Sequence, residues 1–563
     1  MKKYLKDFIV FFVILIINCI VTIKLNKLPD WDFYSYHFYN GWAFWHNRLD
    51  IDILPNLFRS YFNPLLDAFI YFGIERLNNY PLIFLLISGL KYSILMFIAF
   101  KFYELLFEKL DKFNKYLGTV FCMLMAGSSP IILFCMGFDN TDIQCAIFIL
   151  IGLYICLKNI FKETSKLRYW LIFLATFFVG IAFGFKYVNV IYVISIIFAM
   201  MCLFKLIQNP IKAISVAASG FFAGFMITGG WWMLTLWHKF KNPFFPYFND
   251  IFKSPFANED SILDLDYLHL MAKNVWEFIF YPLRNTSVKP FIGFEQPYFD
   301  LKISLTFILL VCLISMLLNK SVRENINKVI DIRWLYFLVI LTVTTYYVNC
   351  FLFANIRYLI PLFILAPAIF YLFVTTIVKK EYYIYPIIII FVIYGVTYKS
   401  YFDMGKVTYH NVPNIIMPVS FALEDDATVI CANFSSCSFA PFQNEKVRYI
   451  GYSLPKRLIS YGFWIDKDFY KNQYYINKYL QKVLIKTFAE NNNIYFIYSE
   501  SNMGPELVDL ELYKTALSLY TKNKLHLNNC YNFQFTVLGY IITDVYHICK
   551  IKNKVPEYFN VKH

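Results

Sequence analysis

Long apolar runs, broken by short lysine-rich polar pieces, set the pattern of this chain. Eleven of them reach or approach the ~20 residues a helix needs to cross a ~30 Å hydrocarbon layer. They lie at 8–25, 82–106, 116–135, 143–160, 169–185, 188–206, 213–236, 303–318, 334–352, 357–377 and 382–398. A shorter run at 64–77 carries Asp67 and Glu75, and it is expected to lie at the interface or to re-enter. The N-terminal run is longer than the apolar part of a secretory leader and no small-residue cleavage site follows, so it reads as a retained first helix. Beyond residue 400 the period changes. Strand-like runs ("ATVICANF", "NIYFIYS", "FQFTVLGYIITDVY") alternate with a helix-like one ("YYINKYLQKVLIKTFAE"), which predicts a small α/β domain. The expected organisation is an α-helical polytopic membrane domain over 1–399 and an extracytoplasmic α/β domain over 400–563.

Basic residues orient the spans, because short cytoplasmic loops carry the excess of lysine and arginine. Lys2, Lys3 and Lys6 precede the first span. Then come Lys109, Lys112 and Lys115; Lys158, Lys162, Lys166 and Arg168; Lys205 and Lys212; Lys320, Arg323, Lys328 and Arg333; and Lys379 with Lys380. With eleven spans all six groups fall on one side. The N-terminus is then expected inside, with segments 26–81 and 237–302 and the C-terminal region outside.

Composition agrees with a membrane chain. Of 563 residues 59% are hydrophobic and 16% charged, and the mean hydropathy is +0.50. Soluble domains carry nearer a quarter charged residues. The net charge of +14 is accounted for by lysines at span ends, and no basic helix or aromatic stacking module points to nucleic acid. Twelve cysteines are scattered, many inside apolar runs where they act as small hydrophobes. Cys431, Cys437, Cys530 and Cys549 lie in the C-terminal region, where an oxidising compartment would permit bridges; spacing assigns no partners.

Polar residues of chemical interest gather in the segments expected outside. Asp30, Asp32 and His37 stand in "LPDWDFYSYHFYNGWAF", Arg59 and Asn63 in "LFRSYFNPLLD", Asp139 and Asp142 in "GFDNTD". Lys186 sits in "GFKYVN" and Arg357 in "FANIRYLIP". Acids and cations from distant loops on one membrane face suit transfer of a sugar from a lipid phosphate. The departing phosphate needs cationic stabilisation, the acceptor hydroxyl needs a base, and neighbouring aromatics can stack on sugar faces.

An acid early in the first outer loop, a second acid in the next outer loop, "GGWWMLTLWHKFKNPFFPYFNDIFKSP" and "NIRYLIPL" together resemble the GT-C superfamily of polytopic glycosyltransferases. The likeness covers the layout of residues 1–380. It implies a GT-C-like fold, a polyprenyl-phosphate-linked sugar donor and a glycan or lipid acceptor of the cell envelope, at the bacterial cytoplasmic (inner) membrane. It puts the catalytic base on Asp32 or Asp30, with Asp32 favoured, and a supporting or Mg²⁺-binding acid on Asp139 or Asp142. Lys186 and Arg357 are the expected phosphate contacts. Arg59 stands in for a charged family residue whose place is held by Asn63, and His37 is a further substrate contact.

Each of these residues also has a plainer role. Aspartates cap helices, and lysines and arginines anchor helix ends. The competing functions are a lipid or glycan transporter or flippase, an O-antigen polymerase or ligase, and a non-catalytic envelope scaffold. A transporter would carry charges near mid-span, where Lys91 is the main exception here.

Overall fold

The computed structural model describes residues 2–25, 32–137, 139–161, 168–257, 272, 274–284, 300–397, 423–432, 437–452, 478–500, 510–521, 523–534, 536–537, 540–541 and 545–556. The described residues are 73% helical, with a small C-terminal sheet. Among the described residues six helices are long and apolar enough to cross a membrane: Tyr4–Leu25, Pro81–Leu106, Asp142–Ile160, Pro210–Phe240, Ile332–Leu352 and Ile356–Ile377. By length and composition this is a membrane protein. Three shorter apolar helices, Tyr169–Phe185, Tyr187–Cys202 and Lys302–Met316, accompany them. The runs expected at 116–135 and 382–398 are also helical, over Lys112–Gly127 with Pro130–Phe134 and over Ile384–Thr397.

The chain divides into two compact units. The first comprises Met1–Lys27, Leu85–Trp231 and Tyr267–Lys406. In it the helices Tyr169–Phe185 and Pro210–Phe225 pack through facing Gly-x₃-Gly pairs, Gly180 with Gly184 and Gly220 with Gly224. A Cβ at Gly224 would lie 2.0 Å from the Phe177 carbonyl oxygen, and one at Gly180 would lie 2.1 Å from that of Phe221. Lipid offers no hydrophobic force between helices, so small residues that let backbones touch supply the packing. Charged groups at the ends of spans find partners. Lys6 meets Glu104 at 2.7 Å, and Lys101 meets both Asp7 and Glu104 at 2.9 Å. A second pair is fully enclosed: Lys302 lies 3.1 Å from Asp300, whose carboxylate also accepts from Ser129 Oγ at 3.2 Å.

The second unit comprises Leu28–Phe84, Trp232–Asp266 and Val407–His563. Its strands are β1 (Thr428–Cys431), β2 (Arg448–Gly451), β3 (Ile494–Glu500), β4 (Asn523–Phe533), β5 (Thr536–Val537), β6 (Tyr540–Ile541) and β7 (Val545–Pro556). Five form one sheet in the order β2-β1-β3-β7-β4; β1 pairs parallel with β2 and β3, while β7 runs antiparallel to β3 and β4. β5 and β6 make a separate two-stranded pair. Helices Lys478–Glu490 and Leu510–Thr521 contribute Leu480, Leu484, Phe488 and Leu517 to a core shared with Ile430, Ile450 and Phe496 of the sheet. Two disulfides occur here, Cys431–Cys437 and Cys530–Cys549; the second joins paired residues of β4 and β7.

The segment between the first two apolar helices belongs to this sheet. Ile53 N–H donates to the Tyr449 carbonyl at 3.0 Å, and Gly451 N–H donates to the Ile53 carbonyl at 2.8 Å. Residue 53 thereby lies beside β2 at the sheet edge, through one parallel bridge to Ile450. Beside it Arg48 clasps Asp52 through Nε at 2.8 Å and Nη2 at 2.7 Å, and donates to the carbonyls of Glu445 and Val447. Asp52 in turn accepts from the Tyr449 N–H at 2.8 Å and from the Tyr39 hydroxyl.

Candidate functional site

In the second unit the chain enters at Asp32, makes one π-helical turn over Phe33–His37 and continues as the helix Phe38–Trp45. Such wide turns occur often at functional sites. Asp30 lies outside the described residues. Asp32 and Arg59 face each other, with Oδ1 to Nη1 at 3.8 Å. Arg59 also donates to Ser35 Oγ at 3.5 Å, and its guanidinium lies over the rings of Tyr36 and Phe58, 5.5 and 5.6 Å from their centroids. Its carbonyl accepts from Asn40 Nδ2 at 2.9 Å, which fixes the backbone of this turn against the neighbouring helix. Asn63 Oδ1 accepts from the Leu65 N–H at 3.0 Å just before the next helix begins.

That next helix, Leu65–Leu77, is the short run expected at the interface. It turns Asp67 inward. His37 Nδ1 and Asp67 Oδ1 are 2.6 Å apart, with side chains 6% and 4% exposed. Gly41 makes the approach possible, since a Cβ there would lie 2.4 Å from the Asp67 carbonyl oxygen. Trp45 Nε1 donates to the Ala68 carbonyl at 2.9 Å and holds the two helices together. Asp67 was not among the sequence-derived site residues. The signal available was an acid inside an apolar run, which requires a partner, and His37 supplies it.

In the first unit Asp142 is the first residue of the helix Asp142–Ile160. Lys186, in the turn after Tyr169–Phe185, donates to Asp142 Oδ1 at 2.6 Å. Burial acts to lower the Lys186 ammonium; the Asp142 carboxylate outweighs it and holds Lys186 above the usual lysine value, while the nearby Arg357 charge acts downward. Arg357 is buried in the turn Ile356–Leu359, whose start is capped by Asn355 Oδ1 accepting from the Arg357 N–H at 3.0 Å. Asp142, Lys186 and Arg357 thus share one electrostatic neighbourhood. Asp139 is buried against Gly137 in the loop just before the helix. Lys91, the in-span cation, reaches that loop and donates to the carbonyls of Gly137 and Asn140, both at 3.0 Å. Thr141 Oγ1 and Gln144 Oε1 are buried there with no hydrogen-bond partner among the described residues.

A divalent cation does not fit this donor set. The Asp142 carboxylate holds an ammonium, and two loop carbonyls hold another. Among the described residues no three His, Cys, Asp or Glu side chains are grouped to hold a metal ion. What the arrangement suits is an anion. Two cations, the half-buried Lys186 and the buried Arg357, lie by the start of a 19-residue helix, whose dipole favours negative charge. Compared with protein-family models, curated proteins and solved structures, the chain matches none of them.

Proposed function

We propose that this chain is a GT-C-like glycosyltransferase. It moves a sugar from a polyprenyl-phosphate-linked donor to a glycan or lipid acceptor of the cell envelope, at the outer face of the bacterial cytoplasmic membrane. The observation that carries the reading is the neighbourhood of buried Asp142, half-buried Lys186 and buried Arg357, in a membrane protein, at a helix start where Thr141 Oγ1 and Gln144 Oε1 have no hydrogen-bond partner among the described residues. In the proposed step the acceptor hydroxyl oxygen attacks the anomeric carbon. The bond from that carbon to the phosphate oxygen breaks, and its electron pair leaves with the phosphate, whose growing charge Lys186 and Arg357 stabilise. The hydroxyl proton passes to a carboxylate base. Asp139 and Asp142 support the cationic groups.

The proposal includes eleven spans, with the N-terminus in the cytoplasm and the C-terminal domain outside. The distribution of cysteines supports that side: the four disulfide cysteines all lie in the C-terminal region, whereas the eight free ones lie between residues 19 and 350. Disulfides persist in oxidising compartments. A transporter reading would use Lys91 as its in-span charge, but Lys91 is engaged by loop carbonyls.

The test is transfer from a radiolabelled polyprenyl-phosphate sugar to envelope glycans by the purified protein in liposomes. Transfer is expected for the unaltered chain, with a loss of about a hundredfold or more in Lys186→Ala and Arg357→Ala. Full turnover in both variants would remove the phosphate assignment.

A further inference from the structure

The C-terminal sheet carries a cavity of about 680 Å³ at the leading ends of its parallel strands, a size usual for small-molecule sites. Thr428 and Arg448, the first residues of β1 and β2, stand in its wall, with Asn493 just before β3. The helix Lys478–Glu490 adds Lys486 and Glu490 from its last turns. All of these residues belong to the second unit. The wall is braced by its own hydrogen bonds. Asn491 Nδ2 donates to the Asp426 carbonyl at 2.8 Å and to Thr428 Oγ1 at 3.0 Å. Asn493 Nδ2 donates to the two oxygens of the Asp426 carboxylate at 2.8 and 3.1 Å.

Other groups of the wall are left for a ligand. Arg448 spends Nε on the Ile51 carbonyl at 3.1 Å, while its Nη1 and Nη2 have no partner among the described residues. Asn492 is exposed, and its amide likewise meets none among them. Lys486 and Glu490 stand 3.9 Å apart, both well exposed. The cations Arg448 and Lys486 are matched by Asp426 and Glu490, so the wall has no excess charge to hold an anion. Among its described residues Val483 alone is apolar, so it has little to hold a lipid tail. What it presents is donors and acceptors interleaved. A sugar hydroxyl donates one hydrogen bond and accepts two, and two neighbouring hydroxyls match the planar fork of a guanidinium.

We infer that this cavity binds an uncharged saccharide. Arg448 donates through Nη1 and Nη2 to two ring hydroxyls, the Asn492 amide exchanges hydrogen bonds with the same sugar, and Glu490 accepts from it. The cavity is a binding site rather than a reaction centre, and the inference stands whether or not the chain transfers sugar.

Saturation-transfer NMR on the full chain in phospholipid nanodiscs reads the binding; a glycoside detergent would compete for the site. The probes are free neutral hexoses, deoxyhexoses and N-acetylhexosamines, with inorganic phosphate as the contrast. At least one sugar is expected to bind. Its Kd is expected to rise about tenfold in Arg448→Lys, which loses the fork, and about threefold in Asn492→Ala, which loses one neutral hydrogen bond. The Asn492 side chain braces nothing, so Asn492→Ala is expected to unfold on heating as wild type does. Lys482→Ala, on the same helix and outside the wall, is expected to bind as wild type does. Phosphate is expected to leave sugar binding unchanged. No signal from any of the sugars with wild type overturns the inference. So does an unchanged Kd in both Arg448→Lys and Asn492→Ala, which would put the sugar elsewhere, and so does displacement of the sugar by phosphate, which would make this an anion site. Transfer is not read in this experiment, so its failure leaves the glycosyl-transfer reading standing.

Discussion

Arg48 and Asp52 form an ion pair removed from water, with Nη2 to Oδ1 at 2.7 Å and side chains 1% and 2% exposed. They are four residues apart in sequence, yet three of their other hydrogen bonds run about 400 residues away, to Glu445, Val447 and Tyr449, beside the one from the Tyr39 hydroxyl. A buried pair is tolerable only when every charged donor and acceptor finds a partner, and here the edge of the C-terminal sheet provides them.

Removing one member should therefore be costly. Asp52→Asn or Arg48→Ala is expected to destabilise the second unit by roughly 3–5 kcal/mol, because the other charge stays buried and unpaired. Arg48→Lys is expected to recover little, since one ammonium cannot reproduce the two-pronged contact with Asp52 and the two carbonyl bonds. Thermal unfolding of the detergent-solubilised chain checks both; an unchanged midpoint in Asp52→Asn would contradict the role given to the pair.

The Asp142 and Lys186 pair separates stability from chemistry. Lys186→Ala is expected to cost on the order of 3 kcal/mol by stranding a buried carboxylate. The exchanged variant Asp142→Lys/Lys186→Asp is expected to regain much of that stability but not sugar transfer, because the cation has moved. Unfolding midpoints and donor turnover, measured on the same preparations, distinguish the two effects.

Helix contact in the first unit depends on bare backbone. Gly224→Val is expected to destabilise by about 1–3 kcal/mol, since the new side chain must push Phe177 and its helix away. Gly127→Ala, whose Cβ would stand 3.4 Å from the Met96 methyl group, is the control and should unfold close to wild type. Equal unfolding midpoints for the two would refute the close-packing account.

Acid should weaken one helix start in a defined range. Asp111 caps the helix Lys112–Gly127, and its carboxyl is lowered to about 2, first by the Asn114 side chain and also by Lys380. A depressed carboxyl contributes stability above its unfolded value of 3.8 and loses it as pH falls through about 2. Asp111→Ala is thus expected to cost about 1 kcal/mol at neutral pH, the usual value of such a cap. The difference from wild type should shrink toward zero near pH 2, as read from paired unfolding curves.

Cysteine labelling tests sidedness. In intact cells a membrane-impermeant maleimide is expected to reach Cys530 and Cys549 only after reduction, and not to reach exposed Cys202 at all, since Cys202 lies by the lysines assigned to the cytoplasm. Labelling of Cys202 from outside would invert the topology.

Local chemistry was readable from the chain, and long-range partnership was not. Apolar runs located the helices, because a stretch that must bury or face lipid all round shows it in composition alone. Asp142 reads as the start of its helix, and the alternation beyond residue 400 reads as strands. Nothing local in "LFRSYFNPLLDAFIYFG" says that Asp67 turns toward His37; that depends on how closely two helices approach at Gly41. Nor does "NRLDIDILP" announce that Ile53 lies at the edge of a sheet whose partner strand begins at Arg448. Sequence by itself determined which segments leave water, because transfer free energy is a property of the residues in each run. Tertiary structure alone decided which charge meets which, because a pair is set by distance in space and the chain carries no record of the loop that closes it.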